Sequence, residues 1–195
     1  MYICIEGIDG AGKSTQLDYI KEWLIESGFE AKKVHEPTDS SVGKLLRKLL
    51  KNSDANCEDM QKVFGLLFAA DRLILKNELE KYEDNNEIII SDRSFYSSLA
   101  YQPHEDWICS INKYVKKPDL VILIDITPDL AIKRCLKHDT FENKFFLNDV
   151  RENYLKIASN KNFKIVDGSN GVNKVKSDIK KLIAPLLGIC IDGIR

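Results

Sequence analysis

The stretch Gly7-Ile8-Asp9-Gly10-Ala11-Gly12-Lys13-Ser14-Thr15 constrains this chain more than any other. It fits the pattern of a glycine, four residues and then Gly-Lys-Ser, and it lies between a compact apolar run, "YICIE" at 2 to 6, and a helical pattern. From Lys13 the residues Leu17, Ile20 and Leu24 recur at helical spacing until Gly28, a C-terminal stop. The glycines let the backbone curl with its N–H groups inward, and the helix that follows adds its unpaired amides and positive dipole end. The result is an anion cradle, in which Lys13 reaches the β- and γ-phosphates of a nucleotide and the Ser14 hydroxyl ligates Mg²⁺ held between them. The candidate donor-binding residues are therefore the whole loop, Gly7, Ile8, Asp9, Gly10, Ala11, Gly12, Lys13, Ser14 and Thr15. Asp9 reads two ways, as a turn former or as an acid aimed at a second ligand or the metal.

Further short apolar runs alternate with helical patterns. "EAKKVHE" at 30 to 36, "EIIIS" at 87 to 91, "DLVILID" at 119 to 125 and "NFKIVDG" at 162 to 168 read as strands, and the two central ones are apolar almost throughout, as strands buried on both faces are. Helices are expected at "SSVGKLLRKLLKN", "EDMQKVFGLLFAADRLILKNELEKY", "TPDLAIKRCLK" with Pro128 near its first turn, around 142 to 160 and over about 171 to 187. This alternation predicts an α/β fold, a parallel sheet with helices on both faces and ligands at the carboxyl ends of the strands. No repeat or linker interrupts the 195 residues, which predict one domain over 1–195. With 29 basic against 30 acidic residues, a broad nucleic-acid-binding face is not expected. Five cysteines without a CxxC pair point to reduced cytosol rather than to a disulfide framework or a zinc site, and no apolar run is long enough to span a membrane.

A phosphate loop does not choose among GTPases, motor or transporter ATPases and small-molecule kinases. "IIISDRSFYSSLAYQ" adds Asp92 and Arg93 at the mouth of a central strand, beside the loop if the first and third strands pair. Asp92 then suits a Mg²⁺ carboxylate, and Arg93 offers a forked donor for a phosphate or carboxylate. Ser97, Ser98, Tyr101 and Gln102 follow, as a solvated helical turn or the lining of a base or sugar pocket. Phe68 and Arg72, four residues apart on one helix face, can stack a nucleobase and bond its edge, or simply belong to the core.

Taken together, "EGIDGAGKSTQ", "EPT", "LLFAADR", "DRSFYSSLAYQ", "PDLVILIDITPDLAIKR" and "FLNDVRENYLKIA" resemble the thymidylate kinases, in that family's order, across residues 5 to about 160. The resemblance implies a P-loop fold of the nucleoside-monophosphate kinase type, with a five-stranded parallel sheet, a short lid at about 134–147, and Mg²⁺-dependent transfer of the γ-phosphoryl of ATP to dTMP. It implies that Lys13 and Ser14 serve the ATP phosphates and Mg²⁺, with Asp92 near the metal, and that Asp9 sits near the acceptor's sugar. By the same resemblance Phe68 stacks on thymine, Arg72 bonds the base edge, Arg93 grips the acceptor phosphate, Ser98 and Gln102 contact thymine, and Tyr101 packs where a ribose 2′-hydroxyl would lie. Homodimerisation through helices on one sheet face is implied as well.

Three places depart from the family's pattern. His35 stands where an Arg is common, and Ser94 where an aromatic residue or His follows Asp-Arg. Ala11 stands where some members carry an Arg in the loop, and members without it supply cations from the lid. Here Lys133, Arg134, Lys137, His138 and Lys144 are available, with Arg134 the first choice for the catalytic cation and Lys137 the second, while Arg151 steadies the helix beyond. "DRS" with Glu36 after the second strand also resembles the deoxynucleoside kinases, whose hydroxyl acceptor needs a carboxylate base. A guanine-reading NKxD is missing from "NKFF", "NKNF" and "NKVK", which leaves little room for a nucleotide-switched binding protein.

Overall fold

The structure is a computed structural model that describes residues 1–52, 57–134 and 144–190. Five strands, β1 (Tyr2–Glu6), β2 (Ala31–His35), β3 (Ile88–Asp92), β4 (Leu120–Asp125) and β5 (Lys164–Asp167), form one parallel sheet in the order β2-β3-β1-β4-β5. Helices α1 (Lys13–Glu26), α2 (Ser41–Leu49), α3 (Glu58–Asp84), α4 (Phe95–Tyr101), α5 (Glu105–Ile111), α6 (Pro128–Arg134), α7 (Lys144–Lys161) and α8 (Val172–Ile183) surround it. The α/β expectation and the five strands hold.

The apolar strands explain the layering. Along β1, Ile3 and Ile5 pack with Leu17, Ile20 and Leu24 of α1 and Ile179 of α8, while Cys4 faces Phe95 and Leu99 of α4 on the other side. Alternate side chains thus bury on opposite faces, and each fully buried Ile or Leu is worth about 1.5–3 kcal/mol. Ile5 pairs with Asp92, so β1 and β3 are neighbours and their carboxyl ends deliver the phosphate loop and the Asp-Arg turn to one place.

The segment 105–111, left without an element by sequence reasoning, is the short α5. The last helix stops at Ile183 and continues as one 3₁₀ turn, Ala184–Leu187, because Pro185 has no amide proton to carry the α-helical ladder on. Ser97 and Ser98 are buried, which settles against a solvated turn there.

Candidate active site

The loop after β1 is shaped by close backbone packing. Gly10 has φ +82°, and a Cβ there would lie 2.5 Å from the Ala131 carbonyl oxygen, so only glycine lets α6 press against the loop. Lys13 opens α1 and folds back, donating to the Ile8 carbonyl at 3.1 Å and lying 3.5 Å from Asp9 Oδ1. Burial and the neighbouring Arg93 charge push the Lys13 ammonium below its ordinary value, with Asp9 and Asp92 opposing. Ser14 Oγ donates to Asp92 Oδ2 at 2.6 Å, which joins the loop to the end of β3.

Arg93 follows in a left-handed backbone conformation, φ +75°. Its Nη2 bonds Asp9 Oδ1 and, at 3.3 Å, the Tyr101 hydroxyl; Nη1 donates to Ser97 Oγ at 3.0 Å and to the Tyr154 hydroxyl at 3.1 Å. Burial opposes its charge, but Asp9, Tyr101, Tyr154 and Glu6 outweigh that and hold the guanidinium well above its usual value. Lys13 and Arg93 therefore converge on one carboxylate, Asp9, at the boundary of two cavities.

The first cavity, about 820 Å³, runs from the loop past Ser14 and Asp92 to Asn170, Gly171 and Val172. The second, about 420 Å³, is walled by Phe64, Phe68, Arg72, Ser98, Tyr101, Gln102 and Phe146. Asp9, Glu36, Pro37, Arg47 and Arg93 border both. The sequence-selected residues thus sort into two groups that touch at Arg93.

In the second cavity the Arg72 guanidinium lies over the Phe68 ring, 5.3 Å from its centre, a cation–π contact. Arg72 is also deeply engaged with the protein. Nε bonds Glu36 Oε2 at 2.6 Å, Nη1 bonds Ser98 Oγ and Asn112 Oδ1 at 3.0 Å each, and Nη2 bonds the Ser94 carbonyl at 3.2 Å. Of its five protons these contacts occupy four, leaving one on Nη2. Gln102 donates from Nε2 to the Gln61 carbonyl at 2.9 Å, and its buried Oε1 has no hydrogen-bond partner. Burial raises the Glu36 carboxyl above its ordinary range, with Arg72 pulling the other way.

Two residues of the site escaped sequence reasoning. Arg47 of α2 borders both cavities, donating to the Pro37 carbonyl at 2.6 Å and pairing with Asp39 at 2.7 Å. Its only signal was its position one turn after Gly43, which is pressed against Thr38. It puts a fork near exposed His35, which itself lies 3.7 Å from Asp39. Glu6, the one acid in "YICIE", is fully buried behind Arg93.

Around the expected lid, Arg134 Nη1 donates to the Gly168 carbonyl at 3.0 Å and lines the first cavity beside Asn170 and Gly171. Lys144 pairs with Asp129 at 2.7 Å, and Lys133 is exposed. Lys137 and His138 lie outside the described residues. Arg151 meets Asp125 through two 2.7 Å bonds, which fasten α7 to the end of β4.

A phosphate loop, an Asp-Arg turn beside it and an aromatic–guanidinium wall at one junction are the features on which comparison with known proteins turns. The family model described as "Thymidylate kinase" matches residues 5–179. The chain belongs to the thymidylate kinase family. It is 55% identical over 195 residues to the "Probable thymidylate kinase" of Methanobrevibacter smithii, covering all of both chains. It is 45% identical over 194 residues to the one of Methanothermobacter thermautotrophicus, again covering all of both. With the one of Methanocaldococcus jannaschii it shares 38% over 188 residues, 92% of this chain and 93% of that one. Within this thymidylate kinase fold, the departures at His35 and Ser94 have structural partners: Arg47 stands near the first, and Ser94 Oγ donates to Glu6 at 2.8 Å.

Proposed function

We propose that this chain, as a single kinase domain, transfers the γ-phosphoryl group of ATP to dTMP, giving ADP and dTDP. Family membership supports the reaction, and the observation that carries the assignment of the two substrates is the junction at Arg93. The donor enters the cavity of the phosphate loop, its phosphates on the loop amides and Lys13. Arg134 is kept as the cation on the donor side, lining the first cavity and bonded to the Gly168 carbonyl. The acceptor enters the second cavity with its phosphate toward Arg93 and Arg47, where it takes over cations now gathered on Asp9 and Asp39.

The second cavity suits thymine in detail. Phe68 supplies a stacking plate. Gln102 is held by its amide nitrogen with the oxygen unpaired, an acceptor for the N3–H of thymine, which cytosine lacks. The remaining Nη2 proton of Arg72 and the Ser98 hydroxyl suit a carbonyl edge, and Tyr101 suits the sugar face. A buried acceptor left unmatched costs about 1–3 kcal/mol, so the wrong base is disfavoured.

Ser14 and Asp92, 2.6 Å apart on the cavity wall, offer one hydroxyl and one carboxylate oxygen, and no cluster of three or more His, Cys, Asp or Glu side chains occurs among the described residues. That fits Mg²⁺, which keeps waters and is held mostly by substrate phosphates. Ser14 and Asp92 would hold it, and it would offset the charge of the phosphates. Lys13 and Arg93 bring donor and acceptor phosphates together, and alignment with positive charge does most of the work in a loose phosphoryl-transfer transition state. A monophosphate, with a second pKa of about 6, needs no base at neutral pH. Glu36, buried and bonded to Arg72, is poorly placed to serve as the free base that a nucleoside 5′-hydroxyl would require.

Val63, Leu66, Leu73 and Ile74 form an exposed apolar stripe along α3, and the proposal includes a homodimer in which this stripe meets its copy. No helix among the described residues is long and apolar enough to cross a membrane, and the free cysteines suit a reducing cytoplasm. Arg93→Ala tests the substrate assignment: two lost charge-assisted bonds raise KM for dTMP about 100-fold or more, with ATP affinity retained. Loss of ATP affinity instead would assign Arg93 to the donor.

A further inference from the structure

Glu6 ends β1 one residue before the phosphate loop and is completely buried. A carboxylate in such a place must be met by donors. Oε1 accepts from the Ser94 backbone N–H at 2.9 Å, from Ser94 Oγ at 2.8 Å and from Cys4 Sγ at 3.6 Å. Oε2 accepts from Ser97 Oγ at 2.7 Å and from the Tyr154 hydroxyl at 2.9 Å.

Those last two hydroxyls are also the acceptors of Arg93 Nη1, and they lie 2.9 Å from each other. Each has one proton and two lone pairs, whereas a carboxylate only accepts and a guanidinium only donates. With both hydroxyl protons directed at Glu6 Oε2, both oxygens present lone pairs to Arg93. The carboxylate thereby sets the polarity of the hydroxyls that hold the guanidinium.

Glu6 acts on the backbone as well. Arg93 is in a left-handed conformation that a non-glycine residue keeps only when its surroundings enforce it. Its N–H donates to the Ile5 carbonyl at 3.1 Å, its carbonyl accepts from Ser91 Oγ, and the residue after it is pinned by two bonds from Ser94 to Glu6.

We propose that Glu6 is a positioning residue for Arg93, presetting both its turn and its fork through Ser94, Ser97 and Tyr154 for the phosphate of the acceptor. The proposal rests on the reading of Arg93 as the acceptor-phosphate residue. It gives a buried acid in the first strand a specific task at the second substrate, although it adjoins the loop of the first.

Glu6→Gln tests it, because the amide keeps the size while its NH₂ donates to a hydroxyl and turns that hydroxyl's proton toward Arg93. The expected result is an about tenfold rise in KM for dTMP, the scale of one disrupted charge-assisted bond, with KM for ATP within about twofold of wild type. In an Arg93→Ala background, Glu6→Gln adds no further rise, since the two act through one contact. Tyr154→Phe keeps the ring, removes one of the two hydroxyls and raises KM for dTMP in the same selective way, and it carries the test where Glu6→Gln does not fold. Equal rises in both KM values, an unchanged KM for dTMP, or effects of Glu6→Gln and Arg93→Ala that add would overturn the proposal. Arg93→Ala that by itself leaves KM for dTMP unchanged would instead remove the acceptor reading beneath it.

Discussion

Replacing Arg72 by methionine isolates the buried ion pair on which the second cavity is built. The side chains of Arg72 and Glu36 are 3% and 4% exposed, and Nε lies 2.6 Å from Oε2. Methionine fills the space of the stem but leaves Glu36 in the interior without its cation and the Asn112 amide oxygen without the donor it has in Arg72, while the Ser94 carbonyl keeps the Ser97 N–H. Breaking a buried pair costs about 3–5 kcal/mol, and at about 2–4 °C per kcal/mol for a domain of this size the midpoint falls by about 6–20 °C. The loss depends on pH. Burial raises the Glu36 carboxyl and Arg72 restrains it, so removing Arg72 raises it further. A carboxyl raised by folding contributes its full stability below its unfolded value and loses it as pH rises through the folded one. The deficit of Arg72→Met against wild type is therefore larger at pH 7.5 than at pH 5.5, and Arg72→Met with Glu36→Gln recovers much of it at the higher pH. Urea unfolding followed by circular dichroism at the two pH values measures all three variants. A deficit under about 1 kcal/mol, the scale of an exposed pair, and independent of pH would refute the reasoning.

Other outcomes follow from the same geometry. A Cβ on Gly43 would lie 2.0 Å from the Thr38 carbonyl oxygen, in a loop already fixed by Asp71 through bonds of 2.7 and 2.5 Å, so Gly43→Ala costs at least about 1–3 kcal/mol in thermal unfolding and weakens dTMP binding by shifting Glu36 and Arg47. Burial raises the Cys4, Tyr2 and Tyr154 protons well above their ordinary values, so the stability these three groups contribute is intact below about pH 8.5 and declines as pH rises further; Tyr154→Phe flattens that alkaline limb in pH-dependent unfolding. Leu66→Glu, in the middle of the exposed α3 stripe, converts the proposed dimer to monomer in light scattering behind a sizing column, and an unchanged mass would place any dimer contact elsewhere.

How much was legible beforehand follows from how local each feature is. The phosphate loop and the apolar strands are written in short spans, because a strand buried on both faces must be apolar along its length. Asp92 and Arg93 could be placed because they terminate such a strand. Arg47 could not, since a basic residue on an amphipathic helix reads as solvated until α2 is seen standing over the loop at 36–39. Glu6 was hidden by its place inside an apolar run, and its meaning depends on Tyr154, 148 residues away. The other engagements of Arg72, with Glu36, Ser98 and Asn112, join three separate segments that no periodicity connects.

The most direct test of the account is a single panel of acceptors, with purified protein, ATP and Mg²⁺ in a coupled ADP-release assay. The account predicts that dTMP is phosphorylated far faster than thymidine, dUMP, UMP or AMP, with one dTDP formed for each ADP. Preferential turnover of thymidine would contradict it, because a hydroxyl acceptor would then be using a base that the Glu36–Arg72 pair does not leave free.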